Sequence, residues 1–208
     1  MKTGIQIGLA LLIVILAFAL FRSIQKPIKF EKEKAIRYDA VIQNLKDIRT
    51  AQIAFKDVNN RYTGDFDTLI NFIKYDSFPM IKAIGRIPDE LVDSLGVKKA
   101  EIEALRRGLI SRDTVKIGIL DSLFAKHYPI DSIRYIPYGN GAEFKLGAGV
   151  VETGSKVKVQ VFEASAENFV ILNGLDRQLI INLNDGKDFP GLKVGSLVEA
   201  TNNAGNWE

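Results

Sequence analysis

The chain has 208 residues, of which 47% are hydrophobic and 25% charged, and its formal net charge is +3. The sequence contains no cysteine, which excludes disulfides, thiolate metal sites, cysteine nucleophiles and a lipid-modified cysteine anchor. The positive charge is small and scattered, so we expect no nucleic-acid partner.

The apolar residues are concentrated near the N-terminus. From Gly4 to Phe21 the sequence GIQIGLALLIVILAFALF carries no charge. A membrane-spanning helix needs about 17 to 25 apolar residues, so residues 1–26 are predicted to be a short tail and a transmembrane anchor. The alternative is a signal peptide cleaved near Ala19. The apolar run continues past that residue, which favours an uncleaved anchor.

The basic residues that flank this run bear on membrane orientation. Lys2 precedes the run, whereas six basic residues lie between Arg22 and Arg37. Counted literally, these charges place the following domain in the cytoplasm. An N-terminal anchor with almost nothing before it is, however, typical of an uncleaved export signal. We therefore expect a bacterial inner-membrane protein with a single span and a periplasmic C-terminal domain.

An amphipathic helix is predicted over residues 27–58. Pro27 should end or kink the membrane helix near Lys26, and a new helix should begin around Glu31. The larger side chains then recur with a spacing of three and four residues, which indicates one helical stripe. The stripe either packs against its own domain or pairs with a partner as a coiled coil. The candidate interaction residues are Tyr38, Val41, Leu45, Ile48, Gln52 and Phe55.

The rest of the chain indicates an α+β domain in a pilin-like or ferredoxin-like arrangement. Residues 59–112 are predicted to be helical, with a turn at Asn59-Asn60, a helix through Ile73 and two short helices after Pro88 and Lys98. Residues 113–201 are predicted to form an antiparallel sheet, and residues 202–208 a flexible tail. The predicted strands are Val115–Leu120, Ser132–Ile136, Glu143–Val151, Lys156–Phe162 and Phe169–Leu172.

A terminal helix or strand is predicted from Asp176 to Asn184. The turn that follows it carries four oxygen-bearing side chains around Gly186, and such a flexible oxygen cluster is a possible calcium site. A solvated turn is the alternative. The four residues are Asn182, Asn184, Asp185 and Asp188.

The sequence offers no catalytic or cofactor-binding motif. His127 is the single histidine, and no serine lies in a nucleophile-elbow pattern. The glycine pairs lack the strand-to-helix context of a phosphate-binding loop. We therefore predict a protein that is not an enzyme and has no cofactor other than the possible calcium ion.

Residues Asn44–Phe55, followed by Asn59-Asn60-Arg61-Tyr62, resemble the helix end and asparagine-x-tyrosine turn of type IV pilins and pseudopilins. The processing motif of that group is absent, because Leu9 and Ile13 stand where a glutamate should follow Gly4 or Gly8. The layout also resembles the bitopic assembly-platform proteins of pilus and type II secretion machines. These resemblances imply a membrane-anchored protein that forms a homo-oligomer or joins an envelope complex.

An alternative function follows from the β-rich C-terminal half. A strand at the edge of a sheet can accept an extended ligand, which would make the domain a periplasmic binding module for a peptide or a glycan.

Overall fold

The computed structural model of the chain describes residues 2–125 and 127–208, with the side chains placed except at 2–5, 79–83 and 112–115. Met1, the first residue of the predicted anchor, lies outside the described residues. The side chains of Ile5, in the predicted span, and of Val115, at the start of a predicted strand, also lie outside the described part.

The apolar run and the amphipathic segment form one helix, α1, over Lys2–Asn59. Its 58 residues correspond to a length of about 87 Å. The predicted break at Pro27 was wrong, because Pro27 lies inside α1. A proline removes the amide that would bond to the carbonyl four residues earlier, here that of Ser23. Ser23 is exposed, so water can satisfy this carbonyl and the helix continues.

Helix α1 ends where the sequence predicted. Asn60 adopts a left-handed conformation with φ 56°, and its backbone amide donates to the carbonyl of Lys56 at 2.7 Å. Asparagine tolerates this conformation better than most residues. The predicted turn at Asn59-Asn60 is confirmed.

The chain divides into two compact units, which differ from the predicted segments 59–112 and 113–201. One unit contains Met1–Phe66 and Asp131–Glu208, and the other contains Asp67–Ile130. The second unit is thus an insertion within the first. The expectation that residues 59–112 are helical throughout was wrong, because a strand over Ser77–Ile84 pairs with a strand over Ser111–Gly118.

The inserted unit combines short helices with a two-stranded sheet. Strand β1 pairs antiparallel with β2, from Ser77 opposite Gly118 to Ile84 opposite Ser111. Helices α3 and α4 confirm the two short helices predicted there. The elements are α2 (Phe66–Tyr75), β1 (Ser77–Ile84), α3 (Asp89–Leu95), α4 (Val97–Arg106), β2 (Ser111–Gly118) and α5 (Ile119–Leu123).

The other unit contains a three-stranded antiparallel sheet of order β3-β4-β5. Strands β3 (Lys145–Glu152) and β4 (Lys158–Glu167) form the hairpin that the sequence predicted, and β5 spans Gly191–Gly195. Helix α7 (Arg177–Asn184) confirms the helical alternative for that segment. The α+β class is thereby established for the described residues.

Two predicted strands of this unit were wrong. Phe169–Leu172 falls in a helical turn, α6 (Asn168–Ile171), and Ser132–Ile136 contributes only one bridge, between Tyr135 and Glu143. A four-residue apolar run has no period that separates a helix from a strand. Both Ile171 and Leu172 are fully buried, which a helical turn achieves and a one-sided strand does not.

The C-terminal half of α1 packs on this sheet, in contact with β4, β5 and α6. Leu45, Ile48 and Phe162 are fully buried in this core. Residues 202–208, predicted to be a flexible tail, instead lie against β5. Gly205 forms a bridge with Val194, and the backbone amide of Asn206 donates to the carbonyl of Lys193 at 3.0 Å.

Candidate functional site

From Ile7 to Phe21, α1 is apolar and exposed on every side. The large apolar side chains from Ile7 to Ile28 are between 53% and 67% exposed. A helix that packs on a domain or in a coiled coil leaves one polar face, and this segment has none. By length and composition it can cross a membrane.

The described domain first contacts α1 a few residues beyond the apolar run. Lys26 Nζ lies 3.8 Å from Asp176 Oδ2, and the side chain of Phe30 is only 6% exposed. The loop that contains Gly174, Leu175 and Asp176 lies beside this part of the helix. The domain is therefore held close to the end of the apolar segment.

Arg37 connects α1 to the end of α6 and to the residues that follow it. Its Nη1 donates to the carbonyl oxygens of Ile171, at 3.2 Å, and Asn173, at 2.8 Å. The guanidinium also lies 5.1 Å from the centre of the Tyr138 ring, within the range of a cation–π contact. Hydrogen bonds from a charged donor are stronger than neutral ones, so Arg37 is a principal link between α1 and the sheet unit. From the sequence, Arg37 was expected only to be one of the basic residues near the membrane.

The structure buries most of the predicted interaction stripe inside the protein's own core. Val41, Leu45, Ile48 and Gln52 are fully buried, and Phe55 is 4% exposed. These side chains take the packing role that the sequence offered as the alternative, and they are not accessible to a partner in this fold.

Tyr38, the first residue of the stripe, is only half-buried. Its hydroxyl donates to Asn168 Oδ1 at 2.5 Å, and Asn168 Nδ2 donates to Asn184 Oδ1 at 2.6 Å. Burial raises the pKa of Tyr38 above its ordinary value of 10.0, although the hydrogen bond to Asn168 opposes this shift. The three side chains link α1, α6 and α7.

The four residues of the predicted calcium site are not gathered around one point by any described interaction. The Oδ1 atoms of Asn182 and Asn184 accept hydrogen bonds from Gln178 and Asn168, respectively. Asp185 follows α7 directly, whereas Asp188 lines a separate cleft. Among the described residues no group of three acidic or histidine side chains could hold a metal ion. Calcium binding at this turn stays a prediction.

The cleft that Asp188 lines, which we call the C-terminal cleft, has a volume of about 670 Å³ and combines aromatic with charged side chains. Trp207 is the single tryptophan of the chain and lies in the segment predicted to be a flexible tail. Lys193 Nζ lies 5.6 Å from the centre of the Phe189 ring. The cleft was not predicted from the sequence, although the isolated tryptophan is a signal that could have pointed to it. The cleft is lined by Tyr38, Phe189, Lys193, Glu199, Asn206 and Trp207.

The two edges of the sheet differ in what covers them. Residues 204–206 bond along the outer side of β5, whereas no described strand pairs with the outer side of β3. Gly64 approaches the middle of β3, where an added Cβ would lie 3.2 Å from the backbone N of Ala148. The end of β3 near Val150, which is 54% exposed, is therefore the accessible part of that edge.

Comparison with family models, with curated proteins and with solved structures finds no match to this chain.

Proposed function

We propose that this protein is a non-enzymatic, membrane-anchored protein of the bacterial envelope that acts by self-assembly or by assembly with partner proteins. The observation that carries the proposal is the exposed apolar half of α1, which continues without a break into the folded domain. Monomeric soluble proteins rarely expose an apolar surface of this size. Lipid covers such a surface, and neighbouring transmembrane helices can pack on it.

The second assembly surface in this proposal is the open end of β3. An unpaired strand edge is a template for pairing with another chain, and soluble proteins usually protect it with lysine, proline or a covering segment. Val150 and Val151 carry no such protection, although Lys145 stands at the other end of the strand. The buried stripe from Val41 to Phe55 has no part in assembly in this account.

Photo-crosslinking in native membranes tests assembly. A photoreactive residue would replace Leu12 in the span, Val150 on β3 or Val198, which is 81% exposed and serves as the control. We expect discrete crosslinked protein bands from Leu12 and Val150 and none from Val198. Crosslinks to lipid alone at both test positions, with the domain folded, would contradict assembly.

Topology is tested separately. We propose that the domain lies in the periplasm. A reporter that is active only outside the cytoplasm, fused after Glu208, should be active. Activity of a cytoplasm-specific reporter at the same position would overturn the orientation.

A second candidate function is a periplasmic binding module for a glycan or a peptide, which the C-terminal cleft favours. Aromatic faces beside polar side chains suit sugar rings, and the cleft volume lies in the range of small-ligand sites. Because Trp207 is the single tryptophan, its fluorescence reports binding directly. Saturable quenching by envelope-derived oligosaccharides, lost in Asn206→Ala but kept in the distant Asn140→Ala, would support this function; no quenching would remove it.

A further inference from the structure

A groove lies on α1 just beyond the apolar segment. This juxtamembrane groove has a volume of about 420 Å³ and is formed by Lys26, Lys29, Phe30 and Glu33 of α1 with the loop of residues 174–176. Lys26 and Lys29 are exposed, whereas Phe30 is buried beneath the loop with Leu175 beside it. The groove thus has an apolar floor and a rim that carries two lysines and two carboxylates, those of Glu33 and Asp176.

The helix geometry sets the depth of this groove relative to a membrane. Gly4–Phe21 spans about 27 Å, close to the hydrocarbon thickness of about 30 Å. Lys26 then lies about 7.5 Å and Lys29 about 12 Å beyond Phe21 along the helix. The headgroup layer is about 5 to 7 Å thick on each side, so Lys26 stands at its outer limit. Both lysine side chains are long enough to reach back to lipid phosphates.

The acidic groups of the groove leave the two lysines available to an anion. The Asp176 carboxylate also accepts the backbone amides of Gln178, at 3.0 Å, and Leu179, at 3.3 Å, as the N-cap of α7. Through these bonds the Asp176 carboxylate interacts with the N-terminus of α7 as well as with Lys26. Its Oδ2 lies 3.8 Å from Lys26 Nζ, which is long for an ion pair. Glu33 stands one helical turn further from the membrane than Lys29.

We propose that the juxtamembrane groove binds the headgroup of an anionic phospholipid, with the phosphate between Lys26 and Lys29 and the glycerol against Phe30 and Leu175. Lysine side chains close to a bilayer surface attract anionic headgroups electrostatically. The site goes beyond assembly and requires only that α1 is anchored in lipid, as in the proposed function. A bound lipid would fix the height of the domain above the bilayer.

The test uses the full chain in detergent, titrated with phosphatidylglycerol or phosphatidylcholine and followed by native mass spectrometry. The double variant Lys26→Gln/Lys29→Gln should bind phosphatidylglycerol about ten-fold more weakly than the unchanged chain. The matched control, Arg22→Gln/Lys32→Gln, removes two charges from the same stretch outside the groove. It should lose less than about three-fold, since these side chains supply only general attraction. Asp176→Asn keeps an N-cap and removes a negative charge, so it should bind more tightly.

Three outcomes would overturn the site. Equal losses in the two double variants would mean that the basic residues from Arg22 to Arg37 attract lipid without a groove. Equal binding of phosphatidylcholine would remove the preference for an anionic headgroup. Full displacement by soluble glycerol phosphate would make this a site for a free phosphate ester. Carbonate extraction of membranes distinguishes these results from failure of the anchor. Both double variants should stay in the membrane fraction. Loss of the unchanged chain from that fraction would count against the proposed function itself.

Discussion

Gln52 is the polar residue inside the apolar stripe of α1, and its replacement by leucine tests how the helix is joined to the turn that follows it. The side chain is fully buried. Its Nε2 donates to the carbonyl of Thr63 at 2.6 Å, and its Oε1 accepts the amide of Thr63 at 3.2 Å. One amide side chain therefore satisfies both backbone groups of Thr63. Leucine has a similar volume but would leave these two groups without partners.

The expected cost follows from those two groups. A buried donor or acceptor that loses its partner costs about 1 to 3 kcal/mol. Because Thr63 is only partly buried, we expect Gln52→Leu to lower the free energy of unfolding by about 3 kcal/mol in total. For a domain of this size that corresponds to a fall in Tm of about 6 to 12 °C.

The assay is thermal unfolding of the full chain in detergent, followed by the fluorescence of Trp207. Gln43→Leu is the matched control, since Gln43 lies on the same helix, is exposed and bonds only to Asp47 at 3.0 Å. We expect it to change the free energy of unfolding by less than about 0.5 kcal/mol. A fall in Tm for Gln52→Leu no larger than that for Gln43→Leu would refute the role assigned to Gln52.

Three further predictions concern the contact between Arg49 and Glu208, the contacts of Arg37 and the predicted calcium turn. The hydrogen bond from Arg49 to Glu208 holds the pKa of Glu208 below its ordinary value of 4.5. The contribution of this contact to stability is therefore complete above that pH and is lost as the pH falls through the lowered pKa. Trp207 fluorescence should report an acid transition that Arg49→Gln removes. The same transition in Arg49→Gln would refute the contact between Arg49 and Glu208. Arg37→Gln should lower the free energy of unfolding by about 1.5 to 3 kcal/mol and speed amide hydrogen exchange at Leu175. Lys34→Gln breaks only a surface ion pair with Glu31 and should have neither effect. Millimolar calcium should raise Tm, reversibly with a chelator, if Asn182–Asp188 binds it, and no shift would remove that site.

The sequence predicted those parts of the fold that local signals determine. The apolar part of α1 follows from the length of the uncharged run, the end of α1 from Asn59-Asn60, and the β3–β4 hairpin from strict alternation between Lys156 and Val161. Asp176 predicted the start of α7, whose first amides it accepts. Each of these features is decided by residues within a few positions of one another.

The features that the sequence did not predict depend on distant contacts. Strand β1 is stable only because β2 pairs with it, more than twenty residues later along the chain, beyond α3 and α4. The α6 turn buries Ile171 and Leu172 where Arg37 binds the following carbonyls. The period of the stripe alone does not distinguish packing in the protein's own core from packing against a partner, since both arrangements bury the same face of a helix. The juxtamembrane groove likewise forms because residues 174–176 return to α1.

The proposal depends first on the apolar half of α1 lying in lipid. The chain has no cysteine, so Leu12→Cys gives a single site for a spin label in membranes that contain the full protein. Leu12 lies near the middle of the span, and the account predicts that oxygen, which concentrates in the hydrocarbon, relaxes this label far more than a water-soluble nickel complex does. A label at Val198→Cys should show the reverse. Strong relaxation of the Leu12 label by nickel, with the domain folded, would contradict the membrane anchor and the assembly that depends on it.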